Sequence, residues 1–372
     1  MRRLRLSGLL LAPALLFFSA QSGAAKPQPR DARIVSHPVW TLAMDWPRVA
    51  YASGTDGSDK SIHVWNVVTG TTSAVKSPRG FATHHATEIA ISGKRLAWLR
   101  TAQFGNTELD HWLYTAPLGG HAHLLRQMHG STDTTCGLGG PQMGGVVGSR
   151  TAMAVSTWLN SSDGSAASQQ RLNLITPTRL RTIATGPDSV LSEALDGGHI
   201  AVLPVSPPSM TPDFCEQPLP TRAGVYSTDG TLLRTIELPT PVPSTLGYQL
   251  GLSGNELVVL TFGLYEPNGP AWATLTVYDW TTGALLHIWP VGIRQNPGEV
   301  NFSVHGELAA VEGSARLHLV NLNTGKDIML AAASHTVSPT ALDEHGLVYA
   351  LNAHNTGKLV FVPWAKLLAL AG

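Results

Sequence analysis

Apolar residues come in short runs along most of the chain, and two kinds of boundary alternate between them. The first is a glycine turn leading into an apolar run. It occurs in ISGKRLAWL from Ile91, VGSRTAMAV from Val147, LDGGHIAVL from Leu195, LSGNELVVL from Leu252, VHGELAAVE from Val304 and EHGLVYAL from Glu344, with a glycine-free version in MDWPRVAYA from Met44. Glycine supplies the positive φ of a tight hairpin, and the Ala/Val/Leu-rich run behind it suits a strand buried on both faces. The second boundary is an apolar strand that ends in a polar turn, often Thr-Gly or Asp-Gly, followed by a further strand. Its clearest copy is VYDWTTGALL from Val277, and looser ones begin at Val64, Leu113, Leu172, Val225, Leu319 and Leu359.

The two marks alternate, so each cycle holds four short strands, a to d. The glycine turn joins a to b and the polar turn joins c to d. Four-stranded units of about 40 to 60 residues are propeller blades. One such sheet cannot bury both faces alone, whereas a ring of them can. The chain is therefore expected to be all-β, a seven-bladed β-propeller of four-stranded antiparallel blades. The blades fall near 38–77, 86–127, 138–186, 189–238, 246–291, 298–332 and 338–371. Two β-sandwiches are the rival, but they do not account for the alternating turns. The last unit supplies its own fourth strand at Lys366 to Leu370, or residues Arg33 to Ser36 latch the ring from outside.

In this scheme the a–b and c–d turns share one face and are tight. The b–c loops and the crossings between blades share the other and are long. The longest b–c loop runs from Val205 to Thr221, and the crossing from Met128 to Gly140 is long as well.

Composition and the N-terminus place the molecule. Lys plus Arg and Asp plus Glu both number 25, and only 13% of residues are charged, against roughly a quarter in average soluble proteins. No basic footprint for nucleic acid is present. Basic residues at Arg2, Arg3 and Arg5, an apolar run from Leu9 to Phe18 and the small residues Gly23-Ala24-Ala25 read as a signal peptide over 1–25. Residues 26–37 form an extension, and 38–372 form the single propeller domain. The apolar run is short for a membrane span, so stable membrane insertion is not expected, and the product is extracellular or periplasmic. In such a compartment Cys136 and Cys215 form a disulfide or remain two free thiols. The blade scheme puts both on the long-loop face.

Counting five residues back from each a–b glycine reaches Glu88, Met143, Glu193, Gln249, Asn301 and Ala341, with Gln142 and Glu299 close by. Carboxylates and amides around a channel mouth offer oxygen ligands to a hard cation such as Ca²⁺, with Glu88, Glu193 and Asn301 as the ligands. They equally suit a polar ligand held by Glu88, Glu193, Gln249 and Asn301. The plain alternative is a wet channel whose groups satisfy one another, with no cofactor. His84, His85, His111 and His129, near Glu108, Asp110 and Asp133, could form a transition-metal or general-base cluster, but surface histidines are the simpler reading. His121 and His123 alternate as an exposed pair. Trp98, Trp158, Trp280 and Trp289 are expected between blades, and loop-borne Trp272 is the one candidate for stacking on a sugar. No nucleophile elbow, P-loop or dinucleotide fingerprint is present, so no catalytic residue is assigned.

The turn marks and their period resemble secreted bacterial propellers of the WD-repeat-like, TolB-like and quinoprotein-like groups, over nearly all of the chain beyond the leader. VYDWTTGALLHIW looks like the tryptophan-docking repeat of quinoprotein dehydrogenases, with Asp279, Thr282 and Gly283 in place. That pattern places its docking tryptophan four residues past the glycine. His287 stands there, so the resemblance does not extend to pyrroloquinoline quinone. The polar ring is similar to the metal-holding channel of gluconolactonase-like propellers. Two functions follow. One is a non-catalytic binding module whose long-loop face engages a protein, peptide or glycan. The other is a divalent-cation-dependent hydrolase or lyase, lactonase-like, at the channel mouth.

Overall fold

The two sequence marks build the two tight turns of a repeated antiparallel sheet. The computed structural model describes residues 31–54, 61–75, 85–104, 108–134, 137–160, 169–205, 209–210, 215–216, 219–240, 242, 245–265, 271–293, 300–313, 315–332 and 336–372. Each a strand opens a four-stranded blade: Val39–Asp45, His85–Ser92, Gly137–Gly148, Ser189–Asp196, Thr245–Ser253, Val300–His305 and Thr336–Asp343. Every a strand contacts the a strand of the next blade, and the seventh contacts the first. The molecule is a closed seven-bladed propeller.

The core is divided into seams rather than centred. Each buried cluster joins two neighbouring blades, from Ala50, Ile62, Trp98 and Tyr114 between blades 1 and 2 round to Val49, Trp65, Val348 and Phe361 between blades 7 and 1. This is why the b strands read as unbroken apolar runs. In Arg48–Ser53, Val49 and Tyr51 pack into one seam and Ala50 and Ala52 into the other. Trp98, Trp158, Trp280 and Trp289 lie in such seams, as the sequence reading places them.

The polar c–d turn has a local cause. Asn66, Asp279 and Asn321 each turn a side-chain oxygen back onto main-chain N–H groups two and three residues on. The turn then closes on Gly70, Gly283 and Gly325 at φ of 72°, 84° and 71°. Each of these glycines donates its N–H to the carbonyl of the Asx residue. Asx side chains favour such turns, and glycine takes the left-handed position at no steric cost. The residue after the Asx then donates its N–H to the a–b turn of its own blade: Val67 to Pro47, Trp280 to Asn255, Leu322 to Glu307.

Neighbouring blades interlock at the same turns. Asp45, Asp196 and Ser253, at the ends of their a strands, accept the N–H of Gly93, Gly254 and Gly306 in the following blade. Asp343 accepts from Trp46 and so joins blade 7 to blade 1. On the outer rim, Arg181 donates to Thr228 O and Arg234 to Thr281 O, each in the next blade's c–d turn. Trp289 donates its indole N–H to Leu322 O at 2.7 Å and lies over Gly325. A tryptophan thus docks on the next blade, from six residues past Gly283 rather than four.

Ring closure corrects one expectation. Lys366 to Leu370 is not a fourth strand but part of helix α1, Trp364–Ala371. Its Leu367 and Ala371 bury against Leu308, Leu317 and Leu347 of blades 6 and 7. The outer strand of blade 7 is Ala32–Val35, paired antiparallel with Gly357–Pro363. Asn352 holds the junction: its side chain accepts from Val39 N and donates to Val39 O and Ser338 O.

The crossing at Met128–Gly140 is also more regular than a loop. His123–Thr134 and the a strand of blade 3 extend toward each other and pair at Thr134–Gly137 and Ser131–Gly139, which fuses blades 2 and 3 into one eight-stranded sheet. The long b–c loop of blade 4 carries a small ribbon, Ser209–Met210 against Cys215–Glu216. Cys136, His84, Glu299 and residues 1–30 lie outside the described residues, as do the side chains of Cys215, His85 and Asp133. No helix among the described residues is long and apolar enough to cross a membrane.

Candidate functional site

The predicted polar ring resolves into separate partnerships between neighbouring blades. Gly144 and Gly145 form a bulge between Met143 and Val146, opposite the single residue Ser156 on the neighbouring strand. Glu193, 7% exposed, comes to this bulge from blade 4. It accepts from Ser156 N at 3.1 Å and from Ser156 Oγ at 2.7 Å. Glu88 reaches the same bulge from blade 2 and accepts from Val146 N at 2.5 Å. The glycines are required here. A Cβ on Gly144 would stand 2.3 Å from Ser156 Oγ, and one on Gly145 would stand 2.8 Å from a Glu88 oxygen. Burial pushes the Glu88 carboxyl up, against the Val146 N–H. Burial, with a smaller push from the neighbouring Glu88, raises Glu193 to about 8 against its bonds to Ser156.

The remaining candidates lie elsewhere. Gln249 donates to Val300 O and to Asn301 Oδ1 at 3.3 Å, so these two form a second pair. Met143 is buried in the seam between blades 2 and 3, and Ala341 packs in the seam between blades 7 and 1. Gln142 turns away, and its Oε1 accepts from His111 Nε2 at 3.0 Å. The structure therefore brings Glu88 to Glu193 and Gln249 to Asn301 as two pairs. Both Glu193 oxygens, one Glu88 oxygen and Asn301 Oδ1 are engaged with backbone, hydroxyl or amide donors.

The histidines divide likewise. His111 is buried, and desolvation lowers its pKa. Asp110, adjacent in sequence, pairs with His129 at 2.6 Å. His121 and His123 are exposed. Several others stack on aromatic rings, as His345 does on Trp46 with centroids 4.8 Å apart.

The tight-turn face holds a polar hollow of about 290 Å³ at the channel, with Asp45, Asp196, Asp343, Glu344 and His345 in its wall. The ligand atoms of Asp343, Glu344 and His345 lie within 4.8 Å of one another. Asp343, however, is occupied in building the turn, accepting from the N–H groups of Trp46, His345 and Gly346. Arg150 reaches Glu344 from blade 3 at 3.3 Å.

A larger hollow reaches the opposite face. A cleft of about 910 Å³ runs between blades 4 and 5, from the crossing at Leu238–Thr240 to the end of blade 5 at Val291–Ile293. Trp272 lines it, together with Tyr265, Thr261, Thr274, Ile288 and Pro290. No charged side chain lines it among the described residues. The volume lies within the range of small-ligand sites, about 300 to 1,000 Å³. Of the sequence candidates only Trp272 is here. The signal that marks the rest is the alternation Trp272-x-Thr274-x-Thr276-x-Tyr278 on strand Ala271–Asp279.

Several solved structures share the architecture. The β-propeller domain of Cps50 (Swd1) from Myceliophteria thermophila matches with TM-score 0.50 at 13% identity, over 89% of this chain and 99% of that one. The likeness shows the β-propeller fold. The propeller domain of the Trilobed protease from Pyrococcus furiosus, described as having an open velcro topology, matches with TM-score 0.47 at 11% identity over 87% and 90%. BamB from Moraxella catarrhalis matches with TM-score 0.43 at 11% identity over 87% and 85%. No protein-family model matches the chain, and no curated protein matches it in sequence.

Proposed function

We propose that this propeller is an exported, non-catalytic binding module that engages a protein, peptide or glycan through its long-loop face. The observation that carries the reading is the contrast between the two faces. The uncharged cleft of about 910 Å³ opens among the long connections, where recognition residues concentrate on a rigid scaffold. The predicted channel residues are instead engaged within and between blades. Export rests on the basic, apolar and small-residue order of residues 1–25, and Cys136 and Cys215 are proposed to be disulfide-bonded there. The test compares partner capture by the purified chain with capture by Trp272→Ala, in the cleft, and Arg150→Ala, on the tight-turn face. Loss in the first and retention in the second is expected. The reverse pattern removes the reading.

The lactonase-like alternative has one observation in its favour: the fold brings Glu88 and Glu193 to a single bulge. Stoichiometric Ca²⁺ in the purified protein, lost on Glu88→Gln, would support it. A metal-free preparation whose melting is unchanged by chelator would remove it.

A further inference from the structure

We propose that the cleft between blades 4 and 5 binds a neutral oligosaccharide, stacked on Trp272 and held by threonine hydroxyls; this rests on the reading of the long-loop face as the binding surface. A pyranose presents apolar C–H faces and a rim of uncharged hydroxyls, each a donor and an acceptor. Recognition therefore needs a flat aromatic surface beside neutral groups of the same dual character. Threonine and tyrosine hydroxyls have that character.

The blade supplies both in register. Side chains two apart on a strand share a face. Trp272, Thr274, Thr276 and Tyr278 accordingly form one strip along Ala271–Asp279, and all four line the cleft. Thr261 stands directly across from Thr274 on the neighbouring strand. Gly263 is the register partner of Trp272 on that strand. Tyr265, 68% exposed, stands where that strand ends at the rim.

Other ligand chemistries fit less well. An anionic ligand finds no lysine, arginine or histidine among the described lining residues. An extended peptide adding to the sheet would have to pair with the outer strand, Ala284–Val291. Pro290 sits in that strand at the cleft and has no N–H to give.

The purified chain is titrated with cellohexaose, maltohexaose, laminarihexaose and chitohexaose, read by indole fluorescence and calorimetry. Saturable binding of at least one is expected, and it should be insensitive to NaCl because the described lining residues carry no charge. Trp272→Ala should weaken it about tenfold or more, a change of about 1.4 kcal/mol. Thr274→Val keeps the shape of the strip, removes one hydroxyl and should weaken binding several-fold. Trp272→Phe should restore part of the loss, with melting unchanged. Four silent sugars, or binding that survives Trp272→Ala and Thr274→Val, overturn the inference. A parallel selection of displayed apolar peptides separates the two readings. Peptides that bind and are lost in Trp272→Ala while the sugars stay silent remove the sugar and keep the face. Silence in both arms removes both.

Discussion

A carboxyl buried beside a second carboxyl must make its hydrogen bonds or stay neutral, and Glu193 does both. Ser156 occupies its two oxygens. Burial, reinforced by Glu88, raises its pKa to about 8. The sign of the consequence follows. The folded state binds the proton more tightly than the unfolded chain, so stability is full below about pH 4.5 and falls as pH rises toward 8. The slope from this group should not exceed about 1.4 kcal/mol per pH unit. In Glu193→Gln an amide oxygen can still accept from Ser156 N, and its NH₂ can meet the hydroxyl. Melting temperatures measured from pH 5 to pH 9 should therefore lose this dependence in the variant, which should be the more stable protein at the alkaline end. The adjacent Gly144→Ala should be destabilising by roughly 1–3 kcal/mol in denaturant titration, because Ser156 and Glu193 leave a Cβ no room.

The closing element is a four-residue strand from the far end of the chain. Ala32–Val35 pairs with Gly357–Pro363, and Asp31 O accepts from Phe361 N. Arg33 reaches Tyr51 in blade 1, so the latch touches both blades that it joins. Asn352 completes the junction with three hydrogen bonds to the backbone of Val39 and Ser338. Asn352→Ala leaves those groups half-buried without their partner and should cost about 1–3 kcal/mol in denaturant unfolding. A chain shortened to begin at residue 38 should melt lower still, because blade 7 then exposes a bare edge. An unchanged melting temperature in both would mean that the ring is held closed by its apolar seams alone. The latch and the last-unit strand were both open in the sequence. Helix α1 decided between them, since its apolar face covers the base of blades 6 and 7 and leaves the strand position to the N-terminus.

At the scale of the whole molecule, every blade keeps its faces dry only because it has a neighbour on each side. Closure makes the seams mutually dependent, so heat should unfold the chain in one calorimetric transition, with calorimetric and van't Hoff enthalpies equal. Two separated transitions would show that blades 2 and 3, fused into one eight-stranded sheet, melt as a unit of their own. The ring also builds its two faces differently. Asp and Ser side chains that accept the glycine N–H of the following blade's turn knit the tight-turn side together. The long-loop side is left with the cleft at blade 5.

The sequence by itself determined the blade. Hairpin glycines, Asx-Gly turns and two-sided apolar strands are short-range features, and their recurrence set seven four-stranded sheets in a ring before any coordinate was known. It marked Glu88, Glu193 and Trp272 as well, though not their surroundings. Only the tertiary structure decided that the two glutamates meet at the Gly144–Gly145 bulge. The same holds for Trp272, which shares a cleft with the end of blade 4 and residues across blade 5. Those neighbours are brought together by strand pairing and blade packing, and no periodicity within one strand encodes which distant side chain will stand opposite.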